Sequence, residues 1–240
     1  MKCVAGHQPN LYPYAGFFAK AAAVDRFVIA DTTQYVTKEY HNRNRIKLLN
    51  GSPAWLSVPV KNAGHYRQKI NEAEIDNSRT WRRIHRKSLL VNYRKAPFFD
   101  SYSPRFFDLL ERDWKMLADY NIAVIRLCFE LLEITTPLDT ASALGVSGKS
   151  TEYILDICRK TGADAYLHGK HAHDYVDFKL LEKAGITSFI QNYNAVEYPQ
   201  HRGGEFIPNL SVLDILFNCG PESGNIIMAG HSVERFEINR

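Results

Sequence analysis

Cys3-Val4-Ala5-Gly6-His7-Gln8-Pro9-Asn10, then Gly16-Phe17-Phe18-Ala19-Lys20, then Phe27-Val28-Ile29-Ala30, is the stretch that decides the fold. The apolar run Cys3-Val4-Ala5 predicts a short strand that ends at the polar loop beginning with Gly6-His7. Residues 16–24 predict a helix, with two phenylalanines and three consecutive alanines on its apolar side. Phe27 to Ala30 predicts a second strand. A strand, a loop, a helix and a strand in this order build a parallel sheet.

The rest of the chain repeats the theme with an interruption. Trp55-Leu56-Ser57-Val58-Pro59-Val60 alternates and predicts a strand with an edge or bulge proline. Ser78 is placed to cap a helix to about Asn92. Ser103-Pro104 predicts a cap and first-turn proline opening a helix to about Asp119. Ile122, Ile125, Phe129 and Leu132 give a further helix by spacing. A helix after Ser147-Gly148-Lys149-Ser150-Thr151, a strand at Ala165 to His168, a helix at Phe178 to Ala184, a strand at Ile186 to Gln191 and a helix at Leu210 to Asn218 resume the alternation. The expected architecture is a single α/β domain over 1–240. It has a mostly parallel sheet flanked by helices and a mainly helical insertion near 77–134.

The chain has 240 residues, 45% hydrophobic and 23% charged, which suits a globular protein with a real core and excludes disorder or coiled coil as the main state. With 30 Lys plus Arg against 26 Asp plus Glu, the net charge of +4 is too small to indicate a nucleic-acid protein. Cys3, Cys128, Cys158 and Cys219 are scattered without a CxxC pair and are read as reduced thiols. The first residues lack the apolar run of a secretory signal, and no apolar stretch is long enough to span a membrane. The expected location is cytoplasmic.

In open parallel sheets, ligands bind beyond the carboxyl ends of the strands. His7, Gln8 and Asn10 fall there, with His7 a candidate acid or base and the two amides candidate ligand contacts. The plain structural alternative for His7 is a hydrogen-bonded histidine packed at a strand end. His41-Asn42-Arg43-Asn44-Arg45-Ile46-Lys47 is dense in forked donors, so Arg43, Asn44 and Arg45 are candidate contacts to phosphate or carboxylate. The alternative is a solvated loop ahead of the Asn50-Gly51 turn.

From Asn77 to Phe99 there are seven basic residues and no acid, while Trp81, Ile84, His85 and Ser88 share one helical face. His85 is a second candidate base. The basic face could dock an acidic partner such as a carrier protein, or be merely solvated. Ser147-Gly148-Lys149-Ser150-Thr151 resembles the end of a P-loop but has Ala143 where the first glycine belongs, which argues against ATP hydrolysis. The weaker expectation is a helix cap from Ser150 or Thr151, with Lys149 nearby, able to hold an anion. His168, His171, His173 and Asp174 match no common zinc spacing and are read as a polar loop without a metal. Cys219, near a helix C-terminus, is a poor nucleophile candidate.

These pieces together resemble the WbqC-like proteins. The matching segments are His7-Gln8-Pro9-Asn10 through Gly16-Phe17, Asn42-Arg43-Asn44-Arg45-Ile46-Lys47 and Asn92-Tyr93-Arg94-Lys95-Ala96-Pro97. Gly148-Lys149-Ser150-Thr151-Glu152, Leu210-Ser211-Val212-Leu213-Asp214 and Leu216-Phe217-Asn218 follow in family order. The chain departs from the family at Tyr14-Ala15, where a Trp-Leu pair is usual, and at His168 and His171, where small residues are commoner. The resemblance implies a bacterial protein of surface-polysaccharide assembly, notably O-antigen, or of secondary-product assembly, and supplies no catalytic residue list. A looser similarity, to nucleotidylyltransferase-type α/β folds, lacks their HxGH signature; Tyr14-Ala15-Gly16-Phe17 stands in its place.

The expected function is a transferase acting on an activated sugar or small metabolite, with acyl or aminoacyl transfer to an amine as the leading chemistry. His7 is the base, with His85 second. Asn10 and Asn44 are oxyanion donors, and Arg43, Arg45 and Lys149 hold a phosphorylated or carboxylated small molecule. The alternatives are a nucleotidyltransferase-like enzyme and a non-catalytic binding protein for a glycan precursor or an acidic carrier. No cofactor is indicated by the sequence, and nucleic acid is disfavoured.

Overall fold

Cys3–His7 (β1) lies at the centre of a six-stranded sheet in the computed structural model, which describes residues 1–61, 67–201 and 203–237. Ala15–Ala22 (α1) returns the chain to Arg26–Ile29 (β2), parallel to β1. The remaining sheet strands are Leu138–Thr140 (β5), Ala165–His168 (β6), Thr187–Tyr193 (β7) and His231–Arg235 (β8). Their order is β5-β2-β1-β6-β7-β8, with all pairs parallel except β7 with β8. The mostly parallel α/β architecture expected from the N-terminal unit is therefore present.

Alternation along β1 divides the core in two. Ala5 packs into the cluster on the α1 side, and the His7 ring meets Phe17 edge-on at 4.9 Å. Val4 packs on the other side with Ile154, Ile157 and Tyr166. Gly6 points the same way, where a Cβ would lie 2.7 Å from the Tyr166 hydroxyl. A side chain at this position would collide with that hydroxyl.

Between β2 and β5 the chain leaves the sheet. Arg43–Lys47 (β3) and Pro53–Ser57 (β4) form an antiparallel hairpin, and Trp81–Tyr93 (α2), Phe99–Glu111 (α3) and Leu117–Leu131 (α4) follow it. The 43–47 segment is thus a strand, not a loop. Its inner residues Asn44 and Ile46 are buried while Arg43 and Arg45 face outward, and the Asn50-Gly51 turn joins it to β4, with Gly51 at φ 83°. Two helix starts also differ from expectation. Ser78 bonds the Asp76 carboxylate instead of capping α2, which begins after Thr80. Pro104 lies inside α3, not at its start; the burial of Phe99, which meets Phe217 edge-on at 5.0 Å, extends the helix a turn upstream of the proline. α3 stops at Glu111 because Lys115 and Met116 pair with the Glu74–Ile75 backbone before α4 begins.

Ala141–Leu144 (α5) and Ser150–Thr161 (α6) lead into β6, and Phe178–Lys183 (α7) leads into β7. Val212–Cys219 (α8) and Ser223–Ala229 (α9) precede β8 and close over the α1 side. No helix among the described residues is long and apolar enough to cross a membrane, and all four cysteines are unbonded.

Candidate functional site

Counted as sheet strands in chain order, the first five stand 3-2-1-4-5, so the winding direction reverses between β1 and β6. Crossovers leave β1 and β2 by one face and β5 and β6 by the other. The crevice this creates lies at the carboxyl ends of β1 and β6, the position where doubly wound sheets take ligands. His7 ends β1 and His168 ends β6.

His7 is half-buried. Its Nδ1 lies 3.0 Å from the Gln8 carbonyl, which can only accept, so Nδ1 carries the proton and Nε2 presents a lone pair. Burial and then the Lys20 ammonium pull its pKa down to about 4, leaving the ring neutral at physiological pH. Lys20 itself is buried on α1, donates to the Gly6 carbonyl at 3.1 Å, and is lowered by burial to about 8. Nothing in the sequence marked this lysine, because its position on a short apolar helix resembles a snorkelling surface residue.

Gln8 is fixed at both ends of its amide. Its Oε1 accepts from His41 Nε2 at 2.9 Å, and its Nε2 donates to the Thr33 hydroxyl at 3.1 Å. His41 accepts the Val36 N–H on its other nitrogen, and Thr33 donates to the Ala30 carbonyl. The relay ties the loop after β1 to the loop after β2 and orients the peptide beside His7. His41 is the partner that sequence reasoning passed over. Asn10 lies in the same loop, 8% exposed.

The other candidates divide. Arg43 and Arg45 project from the outer face of β3; the Arg43 guanidinium lies 4.2 Å from the Trp55 ring centre, and Arg45 reaches the Asn209 carbonyl at 3.4 Å. Asn44 faces inward and is buried. Its amide donates to the Leu11 and Tyr12 carbonyls and accepts the Arg45 N–H, so it braces the loop from within. His85 is fully buried, with Nε2 donating to the Ser57 carbonyl at 3.1 Å and Nδ1 facing the Tyr12 hydroxyl at 3.3 Å. Both nitrogens of His85 are engaged, which gives it a packing role beneath the hairpin.

At α6, neither expected side chain caps the helix. Lys149 occupies the cap position, Ser150 has φ 49°, and the Thr151 hydroxyl accepts the Asp177 N–H at 2.8 Å. Lys149 and Ser150 are exposed beside backbone N–H groups that no side chain covers. A bond of 2.8 Å between Thr32 and Tyr153 brings this helix start to the loop after β2, on the His7 edge. Ala141–Leu144 is helical, so the chain upstream of Gly148 has no phosphate-loop shape.

His168 lies on the opposite face of the sheet, 3.3 Å from the Ser188 hydroxyl and pushed down to about 3 by burial. His171 is exposed, 3.9 Å from Asp174. Among the described residues no group of three or more His, Cys, Asp or Glu side chains is placed to hold a metal ion. Cys219 is pushed up to about 11 by burial and by Asp214. Two depressions of about 450 and 460 Å³ lie elsewhere, one beside Glu74 and Trp114, the other at the amino edge among Phe18, Leu132, Thr136 and Met228. Neither gathers a histidine or unpaired cations, so the carboxyl edge remains the better chemical candidate.

The WbqC-like protein family model matches residues 8–226. The "Uncharacterized protein Rv1507c" of Mycobacterium tuberculosis is 34% identical over 228 residues, covering 93% of this chain and 96% of that protein. No solved structure is significantly similar to the chain. The family match runs from the loop after β1 into α9 and so takes in His7's neighbours, the hairpin and the start of α6; the chain belongs to the WbqC-like protein family.

Proposed function

We propose that the protein is a transferase acting on an activated sugar or small metabolite at the carboxyl edge of β1, with acyl or aminoacyl transfer to an amine as its chemistry. The observation that carries this reading is the His7 imidazole, its proton fixed on Nδ1 by the Gln8 carbonyl, with Nε2 left as a base at the winding reversal of the sheet. In the proposed step the acceptor amine attacks the carbonyl carbon of an acyl thioester. His7 Nε2 takes the amine proton, the C–S bond breaks, and the thiolate leaves with the proton returned from His7. Asn10 is the proposed donor to the transient oxyanion. Lys149, Ser150 and the uncovered N–H groups of α6 would hold an anionic group of the substrate. Bound negative charge would also raise the His7 pKa toward the range useful for catalysis.

The partner proposed for the thioester is an acidic carrier protein. α2 exposes Ile84 and Val91 among Arg83 and Lys87, with Arg94 just past its end, and among the described residues only Arg86 of that helix pairs with an acid, Glu111. The strand order also supports a second reading, nucleotidyl transfer, since doubly wound sheets commonly bind nucleotides at this edge.

A thermal-shift panel of nucleotide sugars, nucleoside triphosphates, coenzyme A and pantetheine tests these readings. A rise in melting temperature with nucleotide sugars or pantetheine is expected, and His7→Ala is expected to keep that rise while losing at least about a hundredfold in turnover. A rise with triphosphates only would move the assignment to nucleotidyl transfer. Full turnover in His7→Ala would remove the base from the mechanism.

A further inference from the structure

We propose that the outer face of the β3–β4 hairpin binds a nucleoside diphosphate, its phosphates on Arg43 and Arg45 and its base against the Trp55 and Tyr40 rings. This rests on the transferase reading, since it names the handle by which an activated substrate is held, but it stands on different residues.

Four observations converge on this face. First, Arg43 and Arg45 are two residues apart on one strand, so both guanidiniums project from the same side, about 7 Å apart at the backbone. Second, neither forms an ion pair among the described residues, and the Nε of each is buried without a hydrogen-bond partner. Arg45 makes only the long bond to the Asn209 carbonyl at 3.4 Å, and no carboxylate neutralises either guanidinium among the described residues, so the pair leaves positive charge for a doubly charged ligand. Third, Trp55 and Tyr40 are 44% and 43% exposed, with ring centres 5.8 Å apart. The Arg43 guanidinium lies 4.2 Å from the indole centre, a cation–π contact that holds it against the ring. Large aromatics left half open beside unpaired arginines form a surface for a planar base attached to phosphate.

Fourth, the face is joined to the His7 edge by backbone. The Leu11 N–H donates to the Tyr40 carbonyl at 2.9 Å, and the Ser211 N–H to the Arg45 carbonyl at 2.9 Å. Ser211 in turn pairs with Tyr14, the residue before α1, and His41 holds Gln8. The hairpin strand that carries Arg45 therefore borders the loop that carries His7. The same chemistry could serve single-stranded nucleic acid; the net charge of +4 and the two-arginine width favour the small ligand.

Isothermal titration calorimetry of the full chain with UDP, ADP, inorganic pyrophosphate and a short single-stranded oligonucleotide tests the assignment. The nucleoside diphosphates are expected to bind at least about tenfold more tightly than pyrophosphate. Trp55→Ala is expected to erase that difference, and Arg45→Ala to weaken UDP and pyrophosphate alike by about tenfold or more. Both side chains lie on the outer face of the hairpin, and circular dichroism melts will show that the variants fold. His7→Ala is expected to bind UDP as the wild type does. No binding of UDP or ADP up to millimolar concentration, unchanged UDP affinity in Trp55→Ala and Arg45→Ala, or tighter binding of the oligonucleotide than of UDP would each overturn the proposal. If the hairpin variants lose UDP while His7→Ala keeps full turnover, the platform stands and the transferase base falls. The reverse pattern fails the platform alone.

Discussion

Asp214→Ala is expected to lower stability by about 3–5 kcal/mol, a drop in melting temperature of about 10 °C in a chain of this size. Asp214 is wholly buried in α8. Its carboxylate accepts from the Tyr93 hydroxyl at 2.6 Å and the Tyr198 hydroxyl at 2.9 Å. The buried Lys47 ammonium lies near enough to favour its charged form, and donates to Gln200 and to the Gly203 and Glu205 carbonyls. Burial nevertheless holds the Asp214 pKa above the ordinary carboxylate range. Truncation would strand two phenols and leave Lys47 without a compensating charge, and unpaired buried groups are costly. Gln200 closes the 200–207 segment by bonding Ile207 twice, so this cluster also anchors the stretch leading to Asn209 beside Arg45. Tyr198→Phe removes one bond and should cost only about 1 kcal/mol. Thermal melts of the two variants check the ranking; an Asp214→Ala variant as stable as Tyr198→Phe would contradict it.

The second large effect is acid unfolding above pH 4. His41, His85 and His168 are nearly or wholly buried, and burial lowers them from 6.5 to about 4, 4 and 3 respectively. Below pH 6.5 the unfolded chain takes up protons at these sites and the native chain does not. Stability from each is therefore intact above 6.5 and is lost as pH falls toward its folded pKa. Each contributes a slope of about 1.4 kcal/mol per pH unit in that window, so the three together remove roughly 6 kcal/mol by pH 5. That is comparable to the whole stability of an ordinary domain. Asp214 acts in the opposite sense, because its folded pKa is raised and acid favours its native form, but it is one group against these three and His7, which is also lowered to about 4. Melting temperatures recorded from pH 8 to pH 4 should fall steeply below 6.5. A flat profile between pH 7 and 5 would show that these imidazoles are protonated in the native state.

Much of the fold was legible because the parallel strands are short apolar runs with polar loops at one end, as at Cys3-Val4-Ala5 and Ala165-Tyr166-Leu167. β5 and β8 were not, since Leu-Asp-Thr and His-Ser-Val-Glu-Arg are edge segments whose strand character comes from their neighbours. β3 was hidden by its charge: Arg43 and Arg45 read as anion contacts or a solvated loop, and strand alternation shows only once Asn44 and Ile46 are seen facing inward. At the site, His7 and Gln8 could be found because they follow the first strand directly. His85 and Asn44 could not be told from ligand contacts, because a buried imidazole or amide satisfied by backbone carbonyls has the same sequence signature as a functional one. Lys20, His41 and Tyr40 are brought to the site by packing between elements distant in sequence, which periodicity does not report.

A structure with the ligand that gives the largest thermal shift shows where the substrate binds. The ligand is expected against the loop after β1, in contact with His7, with its anionic group at the start of α6. A ligand bound instead in the amino-edge depression among Phe18, Leu132, Thr136 and Met228, with the His7 loop untouched, would contradict it.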